Sequence, residues 1–307
     1  DDPLPGSNNS SANQYVQGNG NSNWWDIKLE YVLPTGANRH FGTVDYKIRN
    51  GLLVSEPTGG REWNPLTSGT TILVARQFNR FQTFETDSGK GDGSIHAMEL
   101  GLYYDNTDFA PNPSYGSRQY ISTTHDWGWL ESEQRWQFYE FDISKFVSLG
   151  ESDWASQRTL ALNFWTGYSP TWDVETSPEE FNTVTGGAPY NEGATLGGFT
   201  RMRGYDMNRF HDKAVSYAAA EYRYTLKYNP LKNVDYLKFL RIDWIQLVGY
   251  AEVGRVGAAY TTNELLTDFK SDVGISVRAL MAGLVVRAEL ATSPESTNFW
   301  LMVDQPF

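Results

Sequence analysis

From Trp24 onward the chain alternates apolar and polar positions in runs of about ten residues separated by turn formers. In "GTVDYKIRN", Val44, Tyr46 and Ile48 alternate with Thr43, Asp45, Lys47 and Arg49. In "IHAMELGLYY", Met98, Leu100, Leu102 and Tyr104 face away from Glu99, and in "QRTLALNFW", Leu160, Leu162 and Phe164 oppose Asn163. "SDVGISVRA" sets Val273, Ile275 and Val277 against Asp272, Ser276 and Arg278; "LVVRAEL" sets Leu284, Val286, Ala288 and Leu290 against Arg287 and Glu289. A period of two marks strands with one apolar face. Twelve such strands are predicted, near 23–33, 40–54, 70–85, 93–105, 117–129, 135–146, 157–167, 213–227, 237–252, 271–281, 283–293 and 297–307. Only "NELLTDFK" carries a helical period, and it is short. Residues 1–22 are mostly Asn, Ser and Gly, and they hold too little apolar surface to offset the entropy of ordering, so a flexible tail is expected.

The same alternation fits two architectures. A soluble β-sandwich turns its apolar faces inward, whereas a membrane barrel turns them to lipid and its charged faces to the lumen. Opposite the apolar positions stand Glu99, Glu221, Arg223, Arg278, Arg287 and Glu289, which favours the barrel. Aromatic residues near the strand ends (Trp24, Trp25, Tyr31, Trp127, Trp136, Trp165, Trp300) fit interfacial girdles, in a chain where 45 of 307 residues are Phe, Trp or Tyr. The expectation is therefore an all-β, transmembrane antiparallel β-barrel over 23–307, with twelve strands and a tail at 1–22. An even strand number puts both termini on one side, and the longest connection, 168–212, on the other, folded into the lumen. No apolar run reaches the roughly 18 residues of a spanning helix. A net charge of −12 argues against nucleic-acid partners, and the absence of cysteine excludes disulfides and thiolate metal sites.

The long connection carries "GGFTRMRGYD", and the strand after it reads "SYAAAEYRYTL". A guanidinium on a 45-residue loop can hold it by charge-assisted contacts to wall carboxylates. These residues resemble the bacterial surface antigen superfamily of BamA- and TamA-like barrels, whose loop motif is matched by Met202, Arg203, Gly204 and Tyr205 and whose next strand is matched by Glu221 and Arg223. The resemblance runs over about 95–307: "GYAEVGRVG" supplies Glu252, "VGISVRAL" and "VVRAEL" follow with Arg278, Arg287 and Glu289, and "YYDNTDFAPNPSYGS" resembles a family turn. It departs at Met202, at Thr107 in place of Arg, at Glu252 and Glu289 in place of Asp, and at Asp304 in place of Gly.

What the resemblance implies is a short member without POTRA domains, in the outer membrane of a Gram-negative bacterium with both termini periplasmic. The implied activity is insertion or transport of protein or lipid, and the alternative is a passive or plugged barrel with a structural or partner-binding role. Arg203 is expected to meet Glu252 with Glu221 and Arg223 nearby, and Phe299, Leu301, Val303 and Phe307 to form a C-terminal insertion signal. The expected partners are outer-membrane lipid and a periplasmic or membrane protein or a second copy, with no cofactor. Sixteen strands, usual in the family, would need four more spans in sequence already assigned.

Two points qualify the site. The apolar set Leu240, Ile242 and Trp244 would aim Glu252 at lipid, so a bulge is expected at Trp244–Ile245 to turn Gln246 and Glu252 inward. An outer-membrane phospholipase, the remote alternative, would need a Ser–His pair. His40, His96, His125 and His211 show no nucleophile signature, although Ser122 and Asp126 flank His125. No enzyme and no metal site are expected.

Overall fold

The computed structural model describes residues 4–12, 19–39, 45–59, 62–86, 89–176, 182–189 and 192–307. Among them one antiparallel sheet dominates. Its strands are β1 (Asn19–Val32), β2 (Thr70–Thr86), β3 (Gly89–Asp105), β4 (Gly116–Asp126), β5 (Trp136–Ser148) and β6 (Ala155–Tyr168). After a long connection come β7 (Ala214–Leu226), β8 (Ile242–Gly257), β9 (Lys270–Met281), β10 (Leu284–Thr292) and β11 (Thr297–Val303). Each strand pairs with its sequence neighbour, so the topology is a continuous meander.

Burial settles which face is inside. Glu99, Ser122, Asn163, Glu221, Arg223, Gln246, Glu252, Arg278, Arg287 and Glu289 are buried, while Leu100, Leu102, Ile121, Leu247, Val273, Ile275, Val277 and Leu290 are exposed. Polar-in and apolar-out inverts the order of a soluble domain and suits a lipid solvent.

Among the described residues the sheet has eleven strands, against the expected twelve and the sixteen usual in the family, and the difference lies at 40–54. Residues 40–44 lie outside the described residues. Beyond them Ile48–Arg49 pairs with Leu52–Leu53 across Asn50 and Gly51, whose φ angles are +49° and +70°. Positive φ at both central residues makes the two-residue turn that Asn-Gly favours, so the alternation doubles back instead of spanning. This hairpin docks inside the sheet: Leu52 packs on Trp244, Leu280 and Val285, and the Trp244 indole donates to the Gly51 carbonyl at 3.2 Å.

An odd number of strands also changes the ends. β1 and β11 run in the same direction, so β1 begins at the end of the sheet carrying the β6–β7 connection, and β11 finishes at the opposite end. An even count would instead have set the first and last strands antiparallel. No ladder joins β1 to β11 among the described residues. The tail also differs from expectation at 4–12, where Asn8 and Ser10 are buried. Hydrogen bonds rather than apolar area hold it: the His211 N–H donates to the Gly6 carbonyl, Asn8 donates to the Asp268 carbonyl, and Arg209 donates to Ser10.

The bulge on β8 is present, slightly earlier than expected. Ile242 pairs with Met281 and Ile245 with Ala279, so three steps on β8 meet two on β9. The extra residue turns Gln246 and Glu252 inward, but Trp244 goes inward with them instead of toward lipid. Trp136 and Trp165 likewise leave the expected girdle and sit buried inside, and Trp300 donates inward to the Arg203 carbonyl, because parity places all three on the polar face.

A side chain at Gly51 would sit 2.4 Å from Leu280 Cδ2 and 2.7 Å from Trp244 Cδ1, in a left-handed backbone. Gly51→Ala is expected to cost about 1–3 kcal/mol, read as a lower urea midpoint of the Trp fluorescence transition.

Candidate functional site

The connection between β6 and β7 brings its arginine against the inner faces of β7, β8, β9 and β10. Short ladders tie it first: Asp173–Thr176 pairs with Asn182–Thr185, and Thr195–Leu196 with Phe210–His211. Met202, with φ +55° and no exposed surface, turns the chain so that residue 203 points at the wall.

Three wall glutamates converge on that side chain. Arg203 Nη2 lies 3.0 Å from Glu221 Oε1, Nη1 lies 3.0 Å from Glu289 Oε1, and Nε lies 3.2 Å from Glu252 Oε1. Its backbone N–H donates to Glu252 Oε2 at 2.7 Å, and its guanidinium carbon sits 3.5 Å from the centre of the Tyr250 ring. Burial opposes the charge on Arg203, yet Glu252, Glu221 and Glu289 raise its pKa well above the ordinary arginine value.

The carboxylates are themselves shared. Arg278 grips Glu221 with two bonds of 2.7 and 2.9 Å and reaches Glu289 at 3.1 Å; Arg223 donates to Glu221 at 2.9 Å, and Arg287 to Glu289. Four arginines thus interlock with Glu221, Glu252 and Glu289 in a region without solvent, and Asp272 lies beside them, accepting from the Gly204 N–H. Burial of this kind is tolerated only when every charge is paired.

The flanking motif residues close the contact. The Gly204 N–H donates to Asp272 at 3.0 Å, and a Cβ at 204 would lie 2.6 Å from Asp272 Cβ, so only glycine permits the approach. The Tyr205 hydroxyl donates to the Ser271 carbonyl at 3.2 Å, and its ring meets Phe210 edge-on at 5.2 Å. Met202, Arg203, Gly204, Tyr205, Glu221, Arg223, Glu252, Arg278, Arg287 and Glu289 therefore form one cluster. Asp272, Tyr217, Tyr250 and Trp300 belong to it too and were not anticipated. The alternation already placed Asp272 on the polar face, but nothing in the sequence shows that Glu252 lies opposite it.

The C-terminal residues divide. Phe299, Leu301 and Val303 are exposed on the outer face. Phe307 is not with them: β11 ends at Val303, Asp304 takes φ +73°, and the chain turns inward. Arg223 then donates to the Phe307 carbonyl at 3.3 Å and lies 5.2 Å from its ring, while Arg278 donates to Gln305.

No match is found among curated proteins. The family model of the Omp85 superfamily domain matches residues 9–293. The chain belongs to the Omp85 superfamily. This agrees with the likeness to BamA-type barrels and makes it an outer-membrane β-barrel related to insertion and translocation factors. Among solved structures the Omp85 domain is similar to BamA from Haemophilus ducreyi lacking POTRA domains 1–3, at 11% identity and a TM-score of 0.43. That likeness covers 92% of this chain and 62% of the other, so the chain spans less than two thirds of that protein.

The residues considered for hydrolysis do not assemble. The Ser122 hydroxyl donates to Glu140, and the His125 ring stacks on Trp127 at 4.4 Å. His40 lies outside the described residues.

Removing the central cation leaves buried glutamates uncompensated. Arg203→Ala is expected to weaken docking of the loop by about 3–5 kcal/mol, making residues 197–208 cleavable by protease in folded barrels.

A second effect concerns pH. Burial lowers His211 to about 4 and raises its neighbour Asp212 to about 6. The unfolded chain binds more protons at His211 between 4 and 6.5, so that residue's contribution falls on acidification; the folded chain binds more at Asp212 between 3.8 and 6, so its contribution falls as pH rises. The two oppose, and the wild type should show a shallow profile. Asp212→Asn should lose stability on acidification below pH 6.5, and His211→Asn should lose it as pH climbs toward 6, both read from urea midpoints.

Proposed function

We propose that this Omp85 domain inserts or transports protein or lipid at the outer membrane through the seam between β1 and β11, with the Arg203 cluster holding the long loop against β7–β10. The observation that carries this reading is the pairing of a locked half and an unlocked one. On β7–β10 the inner charges have no exposed surface, whereas on β1 the side chains of Asp26, Lys28 and Glu30 are 31%, 49% and 48% exposed. A wall that is rigid on one side of an opening and hydrated on the other can part along that line without breaking its core. The loop motif and the outer-face residues Phe299, Leu301 and Val303 then serve assembly and placement of the barrel.

A second reading, the passive barrel, is favoured by one feature. The hairpin at Ile48–Leu53 lies inside one end of the sheet and the 169–213 connection inside the other, which narrows any through-path.

The chain has no cysteine, so introduced thiols are unique. Cysteines at Leu29 and Leu301, bridged by a thiol cross-linker, should reduce insertion of a client barrel into liposomes to the uncatalysed rate, and Arg203→Ala should reduce it as well. Full insertion by the bridged protein would sink the seam reading. Background insertion by the wild type, with conductance altered by Arg203→Ala, would establish the passive barrel instead.

A further inference from the structure

Beside the Arg203 cluster the lumen is not filled. A cavity of about 820 Å³ reaches from the inner face of β1 across β3, β4 and β5 to Phe307. A second of about 340 Å³ adjoins it toward the long loop and shares Arg76, Glu99, Glu140 and Arg201 with it. Four cations line the larger space: Lys28, Arg76, Arg118 and Arg201. Five carboxylates face them: Asp26, Glu30, Glu99, Glu140 and Asp142.

Their pairing differs from that of the locked cluster. Arg76 lies 2.7 Å from Asp26 and 3.3 Å from Glu99, Lys28 lies 2.5 Å from Glu30, and Arg201 lies 3.2 Å from Asp142 while stacking 3.9 Å over Trp165. Arg118 is held by Asp105 at 3.2 Å. These pairs retain water: the Arg76 and Arg201 side chains are 32% and 31% exposed, against none for Arg203. Wet ion pairs exchange partners at small cost, whereas dry ones do not.

The cavity is lined by the inner face of β1, an edge strand of the sheet. Because β1 and β11 run in the same direction, the antiparallel pattern of the rest of the sheet cannot close the seam, and β11 stops after seven residues where β1 has fourteen. Ile27, Leu29 and Tyr31 expose their side chains on the outer face of β1, as do Phe299, Leu301 and Val303 on β11. Charged residues stand inside the slot and apolar ones outside it.

We infer that the seam and the cavity behind it bind one membrane phospholipid with a zwitterionic head group, its head among the β1 and β3–β5 charges and its acyl chains in the bilayer. A purely anionic head would meet five carboxylates and a purely cationic one four basic side chains. A phosphate and an ammonium on one head enter the existing pairs without adding to the net charge of the lining. The polar head explains the charged lining, and the tails explain why the opening is a slot in the lipid-facing wall.

This rests on the reading of the β1–β11 seam as open, and it fails separately from the insertion activity. Detergent-solubilised protein taken from vesicles of equal phosphatidylethanolamine and phosphatidylglycerol would be analysed by native mass spectrometry. One phosphatidylethanolamine should be retained in preference. Lys28→Ala and Arg118→Ala should each reduce retention about tenfold, the loss of one charge-assisted contact, with heat-modifiable gel mobility confirming an intact barrel. Bridging Leu29→Cys to Leu301→Cys before lipid is supplied should abolish retention. Equal retention of phosphatidylglycerol, or retention that neither variant nor bridge alters, would overturn the proposal. A protein that inserts clients but retains no lipid would refute this inference alone; one that retains lipid but inserts nothing would refute only the proposed function.

Discussion

One guanidinium, enclosed without solvent by three glutamates, organises half of this barrel. Arg203 touches β7 through Glu221, β8 through Glu252 and β10 through Glu289, and Arg278 of β9 ties two of those carboxylates together. Each charge there would be costly alone, so the cluster holds as a unit or not at all. The loop, the wall and the inward-turned C-terminus are consequently coupled: Arg223 and Arg278 reach from the same carboxylates to Phe307 and Gln305.

Tightness on one side leaves a contrast across the lumen. Around β1–β5 the ion pairs are wet and the space is unfilled, and among the described residues the first and last strands have no ladder between them. The contrast follows from where the loop arginine goes. Arg201, two residues earlier, takes the opposite direction and stacks on Trp165, so adjacent arginines of one motif serve the closed and the open halves.

Much of this was legible in the chain. Alternation located ten of the eleven strands within a few residues, apart from β8, which starts five residues later than expected because Asp235–Leu240 forms a 3-10 turn. The break at Trp244–Ile245 forecast a bulge because a strand with period two cannot put both Ile242 and Glu252 on their required faces without one. The departure at 45–54 has an equally local cause: Asn50-Gly51 interrupts the alternation, and that pair is the strongest short-range signal for a reversal.

What the sequence determined by itself was the inverted polarity of the sheet, since strict alternation of charged and apolar residues leaves only one face for lipid, and the presence of a loop cation needing wall anions. Which anions, and how many, was decided by tertiary structure. Register places Glu252 beside Asp272 and Glu289 beside Ser276, and loop closure across about ninety residues then brings Arg203 to Glu289. The absence of a β1–β11 ladder among the described residues was decided there too. It depends on the count of strands that pair, and pairing is a property of the folded sheet rather than of any one segment in it.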